Sequence, residues 1–181
     1  YSGILCLLAF LVLINFNFFT IAIALASMPL AFTYPLMKRF TYWPQLFLGI
    51  TFNYGLLLGW TSINAEISLI PIIFYVGAIF WTLGYDTIYG FQDIEDDEII
   101  GVKSTSIKFK QNPKIFLSIC YLTFTLLFVI IGIKLNFNYY FFIGAMAVLF
   151  HLFVIQIMKF NKEDKKKCLK IFKSNNFLGL M

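Results

Sequence analysis

Residues 67 to 105 read ISLIPIIFYVGAIFWTLGYDTIYGFQDIEDDEIIGVKST. A long apolar run comes first, with Asp86 inside it, and five carboxylates then fall within the six positions 93 to 98. Carboxylates this close repel one another unless a cation or water compensates them, and a lone charge in an apolar run is costly in hydrocarbon. Acids that begin in a membrane helix and end in water predict a metal site at a bilayer surface.

The composition of the chain assigns its broad class. Its 181 residues are 60% hydrophobic, 20% aromatic and 13% charged, and the mean hydropathy of +0.83 lies outside the range of soluble domains. An apolar run of about 18 or more residues can cross a bilayer as a helix. We therefore predict an all-α fold, a multi-span transmembrane helical bundle, with apolar segments near 3–14, 18–36, 44–60, 67–91, 115–133 and 139–158.

The whole chain, residues 1–181, is expected to form a single transmembrane domain. Its first apolar segment is short and starts at Tyr1 instead of a Met, and a further apolar stretch begins just before Met181. These two features predict a domain that is truncated at both ends.

The positive charges predict the orientation of the spans. Of the 14 Lys and Arg residues, 13 lie in the stretches 37–43, 92–114 and 159–174, which the span count puts on one face; Lys134 alone lies on the other. Short basic loops stay on the cytoplasmic side. We expect an integral protein of a bacterial inner membrane, with the acidic cluster facing the cytoplasm. The net charge of +5 reflects this asymmetry and gives no support for nucleic-acid binding.

The spacing of the acids predicts what they bind. If the helix over residues 67–91 continued to about residue 97, one helix face would carry Asp86, Tyr89, Asp93, Asp96 and Asp97. Asp93 and Asp97 would lie one turn apart, a spacing at which two carboxylates can hold one divalent ion. Mg²⁺ prefers one or two carboxylates together with substrate phosphates, so the pair predicts a magnesium–diphosphate site. Asp86, about 10 Å nearer the bilayer centre, could extend it.

The residues alone leave other interpretations open. A cytoplasmic run of acids is most often a solvated loop, and Lys38 and Arg39 could simply anchor a helix end at the membrane surface. A transporter would also hold carboxylates in membrane helices, but it predicts acids near the midplane and internal repeats. Here the acids gather at one surface, which disfavours a transporter.

Two blocks of sequence carry a resemblance to a known family. YPLMKRFT at 34–41, followed by Pro-Gln at 44–45, is similar to a YPxxKRxTxxPQ segment. Residues 86–97 match DxxYxxxDxxxD, and residues 101–105 match GxKST. In these blocks the chain resembles the UbiA superfamily of membrane prenyltransferases, most closely its 4-hydroxybenzoate polyprenyltransferase branch.

The resemblance implies an aromatic prenyltransferase of ubiquinone biosynthesis, which transfers a polyprenyl group from an allylic diphosphate to an aromatic acid such as 4-hydroxybenzoate. It implies Mg²⁺ as cofactor, held by Asp93 and Asp97 with Asp86 as a further ligand. Lys38 and Lys103 would contact the diphosphate, since cations stabilise the charge that grows there when the C–O bond breaks.

The remaining site residues that the resemblance implies are aromatic or basic. Tyr34 and Tyr89 would face the allylic cation, because aromatic ring faces attract cations. Arg39 would clamp the carboxylate of the acceptor with its planar guanidinium. The catalytic candidates are thus Asp93, Asp97 and Arg39, the partners are the two substrates and the bilayer, and protein partners are not indicated.

The chain departs from the family pattern at one point. Family members carry an earlier motif, NDxxDxxxD, whose acids would face the cluster at 93–98 across a central cavity. Residues 1–181 contain no such motif. The alternative is therefore an inactive remnant of such an enzyme.

Overall fold

The computed structural model of the chain describes residues 2–179. The expected limits of the domain, Tyr1 and Met181, lie outside the described residues. Within 2–179 all regular structure is helical and no strand occurs, so the predicted all-α class is confirmed.

The helices follow one another with short connections. A 3₁₀ turn (Tyr34–Leu36) separates α2 from α3, and a π-helix (His151–Met158) continues α10. Over residues 2–179 the α-helices are α1 (Ser2–Leu13), α2 (Phe18–Thr33), α3 (Met37–Phe40), α4 (Pro44–Phe52), α5 (Tyr54–Asn64), α6 (Leu69–Gly90), α7 (Ile94–Ile100), α8 (Thr105–Lys108), α9 (Pro113–Lys134), α10 (Tyr139–Phe150) and α11 (Lys165–Leu178).

Five helical stretches in the described residues are long and apolar enough to cross a membrane. They match five of the six predicted apolar segments, while the first segment forms a shorter apolar helix over Gly3–Leu13. The prediction of a multi-span integral membrane protein is therefore confirmed. The five stretches are Phe18–Phe40, Pro44–Asn64, Leu69–Gly90, Pro113–Lys134 and Tyr139–Met158.

A buried polar network fixes the centre of the bundle, where α6 packs against α9. The hydroxyl of Tyr121 on α9 donates to the Gln156 side chain in the π-helix. Asn175 Oδ1 on α11 accepts from Gln156 Nε2 at 2.8 Å and from Trp81 Nε1 on α6 at 3.0 Å. Because unpaired polar groups are costly inside a bilayer, this network favours one arrangement of the four helices.

The chain turns sharply where α6 ends. α6 stops at Gly90 and α7 begins at Ile94, so the prediction of one helix running on to about residue 97 is wrong. Phe91 is only 1% exposed and packs edge-on against Phe160, with ring centroids 5.2 Å apart. Burial of this aromatic ring in the core draws the chain inward and ends the helix.

The turn divides the acids between two helices. Asp86 remains on α6, whereas Asp93 is the N-cap of α7 and Asp97 lies within it. The backbone N–H of Asp97 donates to the Asp93 carbonyl at 2.8 Å, so these two residues are still one helical turn apart. The predicted DxxxD spacing is kept, but the predicted single carboxylate face that includes Asp86 is not.

The contact of α6 with α9 makes a prediction about Gly84. A methyl group at this position would overlap the ring of Tyr121, which is fully buried. We expect Gly84→Ala to destabilise the bundle by about 1–3 kcal/mol, as overpacking does elsewhere. Thermal unfolding in detergent measures this effect.

The matched control is Gly59→Ala in α5, because an added Cβ there meets no atom within 4 Å. Alanine favours a helix over glycine, so this variant should be as stable as the wild type or more stable. Equal losses in both variants would contradict the packing argument.

Candidate active site

The two matching sequence blocks meet at one surface of the bundle. The backbone N–H of Lys103 donates to the Lys38 carbonyl at 2.8 Å, and Lys103 Nζ lies 3.4 Å from the Phe40 carbonyl that accepts from it. Lys38 Nζ lies 3.6 Å from Oδ2 of Asp97. Segments far apart in sequence thus bring two lysines and the acidic helix α7 together.

A buried set of hydrogen bonds holds these segments in place. Oε1 of Gln45 accepts from the backbone N–H of Thr105 at 3.0 Å. The hydroxyls of Thr105 and Thr87 share a hydrogen bond of 2.6 Å, and Ser106 Oγ donates to the Thr87 carbonyl at 2.8 Å. All four side chains are buried. We call these residues, Gln45, Thr87, Thr105 and Ser106, the polar clasp; it joins α4, α6 and α8.

Gly90 allows the polar clasp to approach the end of α6. A methyl group here would overlap Ser106 Oγ and would lie 3.4 Å from Nε2 of Gln45. Only a residue without a side chain leaves room for both groups beside the helix backbone.

A cavity of about 270 Å³ opens beside the clasp. Four chemically distinct side chains line it, Tyr34, Lys38, Gln45 and Asp86, and two prolines and a leucine complete the wall. The Asp86 carboxylate makes no hydrogen bond or ion pair to the protein anywhere in residues 2–179, so it remains available to a ligand. The cavity therefore offers a cation, a carboxylate, an amide and an aromatic ring together.

One member of the acidic pair, Asp97, contacts a residue that lines this cavity, Lys38. Asp93 is exposed, whereas the side chain of Asp97 is 13% exposed and faces Lys38. The described part of the chain holds no group of three or more His, Cys, Asp or Glu side chains placed to bind one metal ion. Two carboxylates suit Mg²⁺ that is also bound by a diphosphate. The metal site of Asp86, Asp93 and Asp97 stays a prediction, and Asp86 lines the cavity instead of joining α7.

Two other acids of α7 form ion pairs at its flanks. Glu98 binds Lys110 at 2.8 Å and Glu95 binds Lys165 at 2.7 Å, each lysine coming from a different segment. The hydrogen bond and charge of Lys165 hold the pKa of the Glu95 carboxyl below its ordinary value, and the same hydrogen bond raises the pKa of Lys165. These ion pairs link α7 to the loop before α9 and to the first residue of α11.

The remaining predicted residues lie at different distances from the cavity. Tyr34 lines it, and Arg39 is exposed on α3, outside the lining. Tyr89 is 39% exposed and packs against Phe172 of α11, with ring centroids 4.7 Å apart. Lys38 lines the cavity and also contacts Asp97 of the acidic helix α7.

Gln45 and Thr105 lie within the two matching sequence blocks, but the sequence alone predicts no role for either of them. A signal was present, because Gln45 follows Pro44 at the start of an apolar span, where an unpaired amide would be costly. Its partner, Thr105, is 60 residues away. No local pattern identifies such a partner.

The contact between Gly90 and Ser106 predicts a suppressor. We expect Gly90→Ala to lower the thermal stability by about 1–3 kcal/mol, since the new methyl group displaces Ser106 Oγ. In a Ser106→Ala background the same change should cost much less, because the overlapping oxygen is gone and the Ser106 Cβ lies 3.4 Å away. A double-mutant cycle of thermal unfolding measures the coupling. Additive effects of the two changes would contradict the geometry.

Comparison with known proteins identifies relatives of the chain. The model of the UbiA prenyltransferase family matches residues 1–180. The chain is 40% identical over 179 residues to the 4-hydroxybenzoate octaprenyltransferase of Psychromonas ingrahamii, covering 98% of the chain and 62% of that relative. It is 39% identical over 175 residues to the mitochondrial 4-hydroxybenzoate polyprenyltransferase of Bos taurus, covering 96% and 47%.

The human mitochondrial 4-hydroxybenzoate polyprenyltransferase is equally similar, with 40% identity over 177 residues, which cover 96% of the chain and 47% of that relative. The chain therefore spans about half to three fifths of the length of these curated relatives. No solved structure matches it.

Proposed function

We propose, since the chain belongs to the UbiA prenyltransferase family, that the protein transfers a polyprenyl group from an allylic polyprenyl diphosphate to an aromatic acid. The names of the relatives favour 4-hydroxybenzoate as the acceptor, in ubiquinone biosynthesis. The observation that carries the proposal is the approach of Lys38 Nζ to Asp97 Oδ2, at 3.6 Å, beside a cavity that Lys38 itself lines. This contact supports a role for Lys38 in binding the diphosphate, because it joins an acid proposed to bind metal to a cavity that could hold the second substrate.

Departure of the diphosphate is the first chemical requirement. The allylic C–O bond breaks, and negative charge grows on the diphosphate oxygens. Members of the family generally use a divalent metal; we assign it to Asp93 and Asp97 as Mg²⁺, which supplies Lewis-acid stabilisation of that charge. Lys38 and Lys103 donate charge-assisted hydrogen bonds to the same oxygens, and the bond between their backbones keeps the two lysines adjacent.

Attack by the aromatic ring is the second requirement. Tyr34 and Tyr89 present ring faces to the positive charge that develops on the allylic carbons. The ring carbon beside the acceptor hydroxyl forms the new C–C bond and then loses its proton. Arg39, exposed on α3, binds the acceptor carboxylate with its planar guanidinium.

The reaction takes place at one surface of the membrane. The loops that carry 13 of the 14 basic residues lie at the same end of the spans as Asp97, and basic loops stay in the cytoplasm. We assign the active site to the cytoplasmic face of a bacterial inner membrane, with the polyprenyl tail lying in the lipid-facing part of the bundle.

The metal assignment predicts loss of activity in two variants. Asp93→Ala and Asp97→Ala should each lower prenyl transfer to 4-hydroxybenzoate by about 100-fold or more, because the diphosphate charge is then poorly stabilised. Product formation in membranes, measured with labelled 4-hydroxybenzoate over a series of Mg²⁺ concentrations, tests this. Asp96→Ala is the matched control, since Asp96 is an exposed neighbour that forms no ion pair in the described chain.

The outcomes separate the competing interpretations. If the protein is instead an inactive remnant of a prenyltransferase, no prenylated product should form even when Mg²⁺ is in excess. Activity that survives both aspartate substitutions would rule out the proposed metal site.

The role of Arg39 predicts a selective effect on the acceptor. We expect Arg39→Lys to raise KM for 4-hydroxybenzoate by about tenfold, because lysine keeps the charge but loses the two parallel hydrogen bonds. KM for the polyprenyl diphosphate should stay within about twofold of the wild type. Steady-state kinetics with each substrate varied in turn measure both values, and a shift confined to the diphosphate would contradict the assignment.

A further inference from the structure

The orientation of the Gln45 side chain follows from its hydrogen bond. The backbone N–H of Thr105 can only donate, so the atom that lies 3.0 Å from it must be the carbonyl oxygen of the amide. The oxygen and the nitrogen of a side-chain amide are ordinarily hard to distinguish, but here the Thr105 N–H donor identifies the oxygen. The amide nitrogen of Gln45 therefore faces away from Thr105.

That nitrogen has no acceptor within residues 2–179, although the Gln45 side chain is only 4% exposed. Gln45 lines the cavity of about 270 Å³, and its Nε2 is not sealed inside the protein. A Cβ at Gly90 would lie 3.4 Å from it, which places the nitrogen beside the last turn of α6. A buried donor that faces a cavity without a partner indicates a ligand that supplies the acceptor.

Asp86 supplies the opposite chemistry in the same cavity. It lies one turn before Gly90 on α6, about 6 Å along the helix axis, and its carboxylate forms no hydrogen bond within the described residues. An ionised carboxylate only accepts hydrogen bonds, while the Gln45 nitrogen only donates them. A hydroxyl group can donate to one and accept from the other.

The diphosphate does not match this pair. Its oxygens are all acceptors and carry negative charge, so the Asp86 carboxylate would repel them. The volume also suits a small molecule, because drug-sized ligands fill cavities of about 300–1,000 Å³ and this one has about 270 Å³. Tyr34 offers a ring against which an aromatic molecule can pack.

We propose that Gln45 and Asp86 bind the phenolic hydroxyl of the aromatic acceptor in this cavity. Gln45 Nε2 donates to the hydroxyl oxygen, and the hydroxyl donates to Asp86. The assignment rests on the proposed function for the identity of the acceptor, and it gives Asp86 to the acceptor instead of the metal. It makes Gln45 a specificity-determining residue that selects a phenol over an unsubstituted ring.

The two roles of Gln45 can be separated by one substitution. Gln45→Glu keeps an oxygen that accepts from Thr105 N–H and loses the nitrogen donor. Ser106→Ala weakens the polar clasp and leaves the Gln45 amide in place. The first variant therefore tests ligand binding, and the second is the matched control for structural damage.

The experiment compares two ligands that differ by the hydroxyl alone. Binding of 4-hydroxybenzoate and of benzoate to the complete protein in detergent is measured by calorimetry for the wild type, Gln45→Glu, Asp86→Ala and Ser106→Ala. We expect the wild type to prefer 4-hydroxybenzoate by about tenfold, the value of one or two good hydrogen bonds. The preference should fall to about twofold or less in Gln45→Glu and Asp86→Ala and stay near tenfold in Ser106→Ala. The glutamate in Gln45→Glu repels the carboxylate of 4-hydroxybenzoate and that of benzoate alike, so this repulsion cancels in the ratio of the two affinities.

Two results would overturn the proposal. One is a wild type with no preference for the hydroxyl, or with no measurable binding of either ligand. The other is an unchanged ratio in Gln45→Glu, which would leave Gln45 with its contact to Thr105 alone. Failure of the proposed function looks different: the wild type would prefer the phenol, yet no prenylated product would form when a polyprenyl diphosphate and Mg²⁺ are added.

Discussion

The hydrogen bond between the Gln45 side chain and the Thr105 backbone is the contact on which the candidate site depends. It joins the start of α4 to the loop that carries Lys103, across 60 residues of sequence. Inside a bilayer an unpaired amide is costly, so the two partners hold each other firmly. The backbone bond from Lys103 to Lys38 lies two residues before Thr105, and Gln45 itself lines the cavity, so this contact adjoins both.

The turn at Phe91 separates the acids, leaving Asp86 on α6 and Asp93 and Asp97 at α7. Had the helix continued to residue 97, Asp86 would share a face with Asp93 and Asp97. The turn leaves a pair of acids at the membrane surface and one acid within the cavity. This separation underlies the proposal that the acidic pair and Asp86 contact different substrates.

The sequence predicts the helical class and the spans well, because an apolar run of helical length has few alternatives in a membrane. The DxxxD pair was also predictable, since its spacing belongs to a single turn of helix. The break after Gly90 was not, because it depends on Phe91 packing against Phe160, a contact between distant residues. The role of Gln45 was hidden for the same reason. Local periodicity carries no information about a partner such as Thr105.

The ion pairs that flank α7 respond to salt differently from the buried contacts of the bundle. Glu95–Lys165 and Glu98–Lys110 are solvent-exposed, so dissolved salt screens them, while the buried clasp is largely insensitive to ionic strength. Higher ionic strength therefore weakens the attachment of α7 through these two pairs more than it weakens the buried contacts of the spans.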